Sequence, residues 1–270
     1  MKSLLILTLI AFASSTVNAQ TMRIKRPLRV LEKGDTIRAM GIINKRIQRT
    51  ESPALYKLRG EIKQQRGDLH EALVDYQKYC IEQPCGSVQL NKARIYYKLN
   101  DFDAAIDALL SFPRLNKSAD ALKLLGICQM HSEKYQEALE TFDKVLSLEP
   151  RDFKALYNAG VAAYQLSKID IAQSHFTDAS NALPGDESVW VALGLCHFEM
   201  EEYEASNKAY RQAIAINSDN HQALVNIGVN YYQLGDHLNT CKYWQRASKA
   251  GSKSAQLKIG RYCSKEHFSH

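Results

Sequence analysis

Small residues recur along this chain at a nearly constant interval, and this repeat constrains the possible fold more than any other feature. Six Gly or Ala residues recur every 33 or 34 positions: Gly60, Ala93, Gly126, Gly160, Gly194 and Gly228. A large apolar residue follows each of them at a constant interval: Tyr76, Leu109, Phe142, Phe176, Tyr210 and Trp244. Self-similarity at such a period indicates a chain built by stacking one supersecondary unit.

The offsets within each period indicate two helices that cross closely. A second small residue, such as Ala138, precedes the large residue by four positions, so the two share one face of a second helix. The Gly or Ala on the first helix leaves room for the large side chain. Pro84, Pro150 and Pro184 close three periods, because proline cannot continue a helix.

This pattern resembles the tetratricopeptide repeat (TPR) family. Unit 119–152 carries the family's residue types at Leu122, Leu125, Gly126, Tyr135, Ala138, Phe142 and Pro150. The later units match as well. The first two match less closely, because Arg59, Lys63 and Lys92 stand where the family is usually apolar.

The resemblance implies an all-α fold, a right-handed superhelical solenoid of about six helix–turn–helix repeats plus a closing helix. The predicted repeats cover residues 53–251, as units 53–85, 86–118, 119–152, 153–186, 187–220 and 221–251. The closing helix is predicted at 252–264. Together with the last repeat it also resembles a Sel1-type repeat.

The N-terminal residues have the pattern of an export signal. Lys2 precedes an apolar run from Leu4 to Ala13, and small residues follow up to Ala19. The run, of about 10 residues, is too short to span a bilayer. We therefore predict a signal peptide at 1–19 and a periplasmic or secreted protein. Residues 20–52 are predicted to be a basic segment with a degenerate helical half-repeat, and 265–270 a tail.

Charge is distributed unevenly. The whole chain has 35 Lys and Arg against 29 Asp and Glu, but residues 20–66 hold 13 of the former and four of the latter. An alternative function is therefore docking of this segment on an anionic membrane or cell-wall surface. The residues that would carry it are Arg23, Lys25, Arg26, Arg29 and Lys33.

In the TPR family the inner surface is formed by the second, fifth, ninth, twelfth and thirteenth residues of each repeat. The resemblance therefore implies a groove for an extended peptide or a partner helix. In the last four repeats this groove is apolar and aromatic. Its predicted residues are Ile127, Met130, Tyr157, Val161, Tyr164, Val191, Leu195, Phe198, Val225, Val229 and Tyr232. Packing of these side chains on neighbouring repeats is the alternative interpretation.

The cysteines allow two disulfides in an exported chain. Cys241 lies on the last second helix and Cys263 on the closing helix, while Cys80 and Cys85 flank a proline turn. Both pairs are possible disulfides, with free thiols as the alternative. The two other cysteines, at the tenth position of their repeats, are predicted to be core thiols.

Signatures of catalysis are not found. The sequence has no Gly-rich phosphate loop, no G-x-S-x-G and no H-E-x-x-H motif. We predict a non-catalytic scaffold with no catalytic, cofactor or metal site, no membrane span and no nucleic-acid partner. Its partner is predicted to be a protein or peptide. An accessory subunit of an enzyme is a further alternative.

Overall fold

The computed structural model describes residues 24–263, and this part of the chain is all-helical. It contains fifteen α-helices and two short 3₁₀ helices, without a β-strand. No helix between residues 24 and 263 is long and apolar enough to cross a membrane. The predicted signal peptide and the predicted tail lie outside the described residues.

The first of two compact units extends to Leu115 and contains three helix pairs. Its bounds are α1 over 24–32 and α2 Thr36–Ile47, α3 Pro53–Arg66 and α4 Leu69–Glu82, then α5 Gln89–Lys98 and α6 Phe102–Leu110. A 3₁₀ helix, Cys85–Ser87, lies between the second and third pairs.

The second unit starts at Asn116 and contains four helix pairs and a closing helix. The pairs are α7 Ala119–His131 and α8 Tyr135–Leu148, α9 Phe153–Gln165 and α10 Ile169–Ala182, α11 Glu187–Glu199 and α12 Tyr203–Ile216, and α13 His221–Gln233 and α14 His237–Lys249. The closing helix is α15, Lys253–Tyr262. A 3₁₀ helix, Leu115–Lys117, precedes α7.

A left-handed residue ends the first helix of every pair. These residues have φ between 57° and 88° and recur every 33 or 34 positions: Gly34, Gly67, Asn100, Glu133, Ser167, Glu201 and Gly235. A left-handed residue just past a helix end redirects the chain, and the preceding carbonyls then accept the N–H groups of the turn. The turn is therefore set by backbone geometry rather than by a glycine in each repeat.

The same register shows that the repeat starts earlier than the sequence pattern indicated. The predicted half-repeat corresponds only to the second helix of an N-terminal pair, which is α2. The structure adds α1, and Gly34 closes it one repeat length before Gly67 closes α3. Ile24 and Leu31 of α1 pack on the core formed by α2 and α3.

Close crossing of the helices in a pair depends on the small residue of the first helix. At Gly160 an added Cβ atom would lie 2.6 Å from Cε1 of Phe176, a distance that real Cβ atoms do not adopt. The Phe176 ring is buried against this bare backbone. The constant spacing of small and large residues in the sequence is thus a packing contact between the two helices.

The first unit also holds a buried ion-pair network. The Asp75 carboxylate on α4 accepts hydrogen bonds of 2.9 and 2.7 Å from Nε and Nη2 of Arg59 on α3. Nζ of Lys63, one turn further along α3, lies 3.0 Å from the same carboxylate. Arg59 and Lys63 are two of the positions where the TPR family is usually apolar, so this network takes the place of apolar packing.

Candidate partner-binding groove

The predicted groove residues lie on the first helices of the four pairs in the second unit, namely α7, α9, α11 and α13. Within one helix they are separated by four and three residues, which places them on a single face. Except for buried Val191 and exposed Tyr232, all are half-buried. Such side chains contribute to packing and still present apolar surface.

Three of them line one pocket between α7 and α9. Ile127, Met130 and Val161 form its apolar wall, and the pocket has a volume of about 310 Å³. Asn158 and Gln165 also line it, so an amide group is available beside the apolar wall. The pocket can accept a large aliphatic or aromatic side chain together with hydrogen bonds to the adjoining peptide group.

Three others line a second pocket between α9 and α11. Tyr157, Val191 and Leu195 form the apolar part of a volume of about 240 Å³. Asn220, the N-cap of α13, and Gln222 on α13 line the rim together with Glu187. Both pockets therefore have an apolar floor and a polar rim, but only the second has a carboxylate at its rim.

Two aromatic residues of the predicted groove line neither pocket. The Tyr164 hydroxyl donates a 3.0 Å hydrogen bond to the Glu199 carboxylate on α11. Burial, and secondarily this carboxylate, raises the pKa of Tyr164 to about 12. The ring of Phe198 packs edge-on against Tyr203, at the start of α12. Both side chains connect neighbouring helices.

The last three predicted residues surround the C-terminal core of the unit. Val225 and Val229 pack on the cluster that contains Trp244. The Tyr232 ring stacks on Trp244 with a centroid distance of 6.2 Å, and its centroid lies 5.2 Å from that of Tyr262. The structure thus brings six of the eleven residues together in the two pockets and gives the other five mainly packing roles.

Lys123, the fifth residue of the first repeat in this unit, does not give the groove a net positive charge. Nζ of Lys123 lies 2.9 Å from Glu149 and 3.0 Å from Asp152, and these hydrogen bonds raise the Lys123 pKa. Burial alone would raise the pKa of Asp152. The hydrogen bond from the Ala155 N–H and the neighbouring Lys123 cation outweigh it, so the pKa is lowered below its usual value. The cation is therefore neutralised by its own unit.

The polar rim of the pockets was not among the predicted groove residues. His131 and Gln165 are thirteenth residues of their repeats, and Ser188 and Gln222 are second residues. The family's inner positions include both, so a reading of these two positions would have found them. Asn158 and Asn220 lie at other positions and emerge only from the packing of the helices.

Both predicted cysteine pairs are bonded in the structure. Cys80 is linked to Cys85 across the turn after α4, with the Cα atoms 4.8 Å apart. Cys241 is linked to Cys263, with the Cα atoms 5.8 Å apart, and joins α14 to the residue after α15. The second bond fastens the closing helix to the last repeat.

We expect Cys263→Ser to lower the free energy of unfolding by about 3 kcal/mol, because the bond closes a loop of 22 residues. Cys85→Ser opens a loop of five residues and should cost about 2 kcal/mol. Urea denaturation of both variants beside the oxidised parent measures these losses, and the reduced parent, which lacks both bonds, is the control. Non-reducing peptide mapping that finds free thiols at 241 and 263 would contradict the expectation.

The remaining cysteines, Cys128 and Cys196, are fully buried thiols. Burial raises the pKa of Cys128 to about 11, and burial together with Glu199 raises that of Cys196 to about 12. Among residues 24–263, no group of three or more His, Cys, Asp and Glu side chains could hold a metal ion. The two thiols are therefore best described as core residues.

The thiols should make stability fall at alkaline pH. Unfolding returns both pKa values to about 8.5, so unfolded chains release protons that folded chains retain. The contribution to stability is complete below about pH 8.5 and is lost as pH rises toward 11. Urea midpoints from pH 8 to 11 test this, and the double variant Cys128→Ala, Cys196→Ala should show a shallower decline. An equal decline in both proteins would contradict it.

Comparison with known proteins agrees with the helix-pair architecture. The tetratricopeptide repeat family model matches residues 90–153 and 124–172, and a second TPR repeat model matches 194–235. The MamA protein, whose crystal structure is known, superposes with a TM-score of 0.58 at 22% identity, over 66% of this chain and 94% of that protein. The chain contains tetratricopeptide repeats and has the fold of a TPR solenoid.

Two curated relatives carry the same kind of repeat or belong to an assembly. The TPR repeat-containing protein MJ1428 of Methanocaldococcus jannaschii is 24% identical over 80% of this chain and 41% of its own length. The BBSome complex member BBS4 of Bos taurus is 24% identical over 46% of this chain and 24% of its own length. The chain therefore spans less than half of either relative.

Proposed function

We propose that this protein is an exported, non-catalytic scaffold that binds a protein partner through the groove of its second unit. The partner supplies an extended or helical segment, and two of its apolar side chains occupy the two pockets. The observation that carries this proposal is the pair of pockets on neighbouring first helices, each with an apolar floor and a polar rim. Export to the periplasm or the cell exterior is part of the proposal and rests on the sequence of residues 1–19.

The chemistry of the rim suits a peptide backbone. Asn158 and Gln165 at one pocket, and Gln222 at the other, can each donate and accept a hydrogen bond. The Asn220 amide already accepts the Ala223 N–H and donates to Glu187. Neutral amides recognise peptide groups, and the Glu187 carboxylate disfavours an acidic partner residue at the second pocket. The likeness to BBS4, a member of a multiprotein complex, also supports a role in assembly.

The expected affinity is modest. Burying one Leu-sized anchor contributes about 2 kcal/mol. Two such anchors contribute about 4 kcal/mol, so the Kd should lie between about 1 mM and about 1 μM, with the hydrogen bonds at the rims supplying the difference. Because the contacts are mainly apolar, this Kd should change little between low and physiological salt.

The test is crosslinking capture from the native compartment, followed by binding of the captured partner in purified form. Val161→Asn combined with Leu195→Asn introduces one polar side chain into each pocket. The matched control is Ile171→Asn with Ile216→Asn, since both residues are exposed on second helices of the same unit. The pocket variant should weaken binding by about 10-fold or more, and the control should retain it.

Thermal melting monitored by circular dichroism must show that both double variants stay folded at the temperature of the assay. If the folded pocket variant binds the purified partner as well as the parent does, the groove is not the binding site. Equal losses in both variants also argue against the groove, because the control residues lie outside it.

A further inference from the structure

The outward side of the first helix pair is strongly basic. At 100° per residue, Lys25, Arg26 and Arg29 fall within an arc of about 100° on α1, and Lys33 lies in the turn directly after it. All four are exposed, and the arc is opposite the side of α1 that carries Ile24 and Leu31 into the core. The cations are therefore a continuous stripe rather than a scattered charge excess.

The second helix of the pair also carries exposed cations. Ala39 and Ile43 of α2 are fully buried, whereas Arg38 and Lys45 are exposed on the outward side of the helix, and exposed Arg49 lies in the turn that follows it. We refer to these seven exposed cations on α1, α2 and the adjoining turns as the basic surface: Lys25, Arg26, Arg29, Lys33, Arg38, Lys45 and Arg49.

Little negative charge is available nearby to balance it. Between residues 24 and 51 the acidic residues are Glu32, Asp35 and Glu51. Asp35 is the N-cap of α2, where its carboxylate accepts the Arg38 backbone N–H at 2.9 Å. Its charge is partly used at the helix N-terminus, so the basic surface keeps a large positive excess.

An exposed apolar side chain lies on the outward side of α2. Ile37 is 85% exposed, and it lies on the same outward side of α2 as Lys45. A soluble polyanion could pair with the cations but would leave Ile37 in water. The surface of an anionic bilayer satisfies both, because phosphates meet the cations while the isoleucine enters the interfacial layer.

We propose that the basic surface docks the protein peripherally on membranes rich in anionic phospholipid. This function is independent of the groove, since it uses a different unit of the chain. The exposed Ile37 side chain favours a lipid surface over a soluble polyanion as the anionic partner, because only the lipid surface offers it an apolar environment. Docking of this kind is reversible and places the protein on the membrane without a spanning helix.

The size of the effect follows from surface electrostatics. Each Lys or Arg near an anionic bilayer changes the binding constant by about fivefold. Removing three cations should therefore weaken binding by about a hundredfold at low salt. At about 0.5 M salt the difference should largely disappear, because the Debye length is then only a few ångströms.

Vesicle flotation of the full chain tests the proposal, with vesicles of phosphatidylcholine alone or of phosphatidylcholine and phosphatidylglycerol mixed two to one. The first variant is Lys25→Gln, Arg29→Gln, Lys33→Gln. Its control is Lys208→Gln, Lys242→Gln, Lys249→Gln, which removes the same charge from exposed positions on α12 and α14. Any binding through the predicted leader is common to the parent and the variants, because none of the substitutions lies in residues 1–19.

We expect the first variant to lose about a hundredfold in binding to the anionic vesicles, while the control loses much less. If both lose equally, net charge alone is responsible and the assigned surface is wrong. The substituted side chains are exposed, and unchanged circular dichroism spectra will show that folding is retained.

Ile37→Ser separates a lipid surface from a soluble polyanion. It should weaken binding to the anionic vesicles by about fivefold, as expected for partial burial of one isoleucine, and leave binding to heparin unchanged. If Ile37→Ser has no effect on vesicle binding and heparin binds as tightly as the vesicles, the partner is a polyanion and the membrane assignment is overturned.

Discussion

Replacing Asp75 with alanine should lower the free energy of unfolding by about 3–5 kcal/mol. The Asp75 carboxylate is fully buried. It accepts two hydrogen bonds from Arg59 and forms an ion pair with Lys63. Loss of the carboxylate leaves two poorly solvated cations next to each other, and breaking a buried pair on one side carries this cost. Urea denaturation followed by circular dichroism measures the change.

Glu71→Ala is the matched control for this experiment. Glu71 is also within ion-pair distance of Lys63, at 3.2 Å, but its side chain is 68% exposed. An exposed pair contributes about 0–1 kcal/mol, so the control should remain near the parent. Similar losses in the two variants would show that burial of Asp75 is not the source of its effect.

A triple variant in which leucine replaces each of Arg59, Lys63 and Asp75 tests whether apolar packing can substitute for the ion-pair network. The TPR family is usually apolar at the first two of these positions, and well-packed apolar residues often replace a buried ion network without loss of stability. The triple variant should therefore be markedly more stable than Asp75→Ala. If it is as unstable as the single variant, the network has a specific structural role that apolar packing cannot replace.

Replacing Trp244 with alanine should cost about 3–5 kcal/mol in the second unit. Trp244 is 2% exposed and forms one buried cluster with Leu224, Ala247 and Ala255, which joins α13, α14 and α15. Its indole N–H also donates a 3.1 Å hydrogen bond to the Val225 carbonyl. The substitution removes a large apolar volume and leaves a cavity under the closing helix.

Leu257→Ala provides the comparison for Trp244. Leu257 is on α15 but is 77% exposed, so its truncation should change stability by no more than about 0.5 kcal/mol. Hydrogen exchange should show faster exchange over α15 in the tryptophan variant alone. A loss below about 1 kcal/mol for Trp244→Ala would mean that the closing helix is held mainly by its disulfide.

The helix pairs from α3 to α14 were predictable because their signal is local and repeated. The interval that separates Gly160 from Phe176 recurs between the small and the large residue of each repeat, so six weak observations reinforce one another. The first pair could not be found this way. In α1 the corresponding positions carry basic residues or Pro27, and Gly34 alone does not distinguish a helix-pair turn from any other turn.

The groove was predictable only in part. Its apolar floor, for example Val161 and Leu195, follows from the fifth, ninth and twelfth positions of the repeat. Division of that floor into two pockets depends on how neighbouring first helices pack, and so does the contribution of Asn158 and Asn220 to the rims. Tyr232 shows the opposite case, because stacking on Trp244 gives it a packing role that its repeat position does not reveal.

The sequence by itself determined the all-helical architecture, the repeat period and the apolar face of the first helices, because these depend on spacings within a single repeat. Only the tertiary structure decided what Arg59 and Lys63 do. As a sequence they are departures from an apolar pattern, and in the structure they pair with Asp75 on the next helix. The physical reason is that periodicity shows which side of a helix faces the protein interior. Which residue that side contacts depends on how the neighbouring helix crosses it.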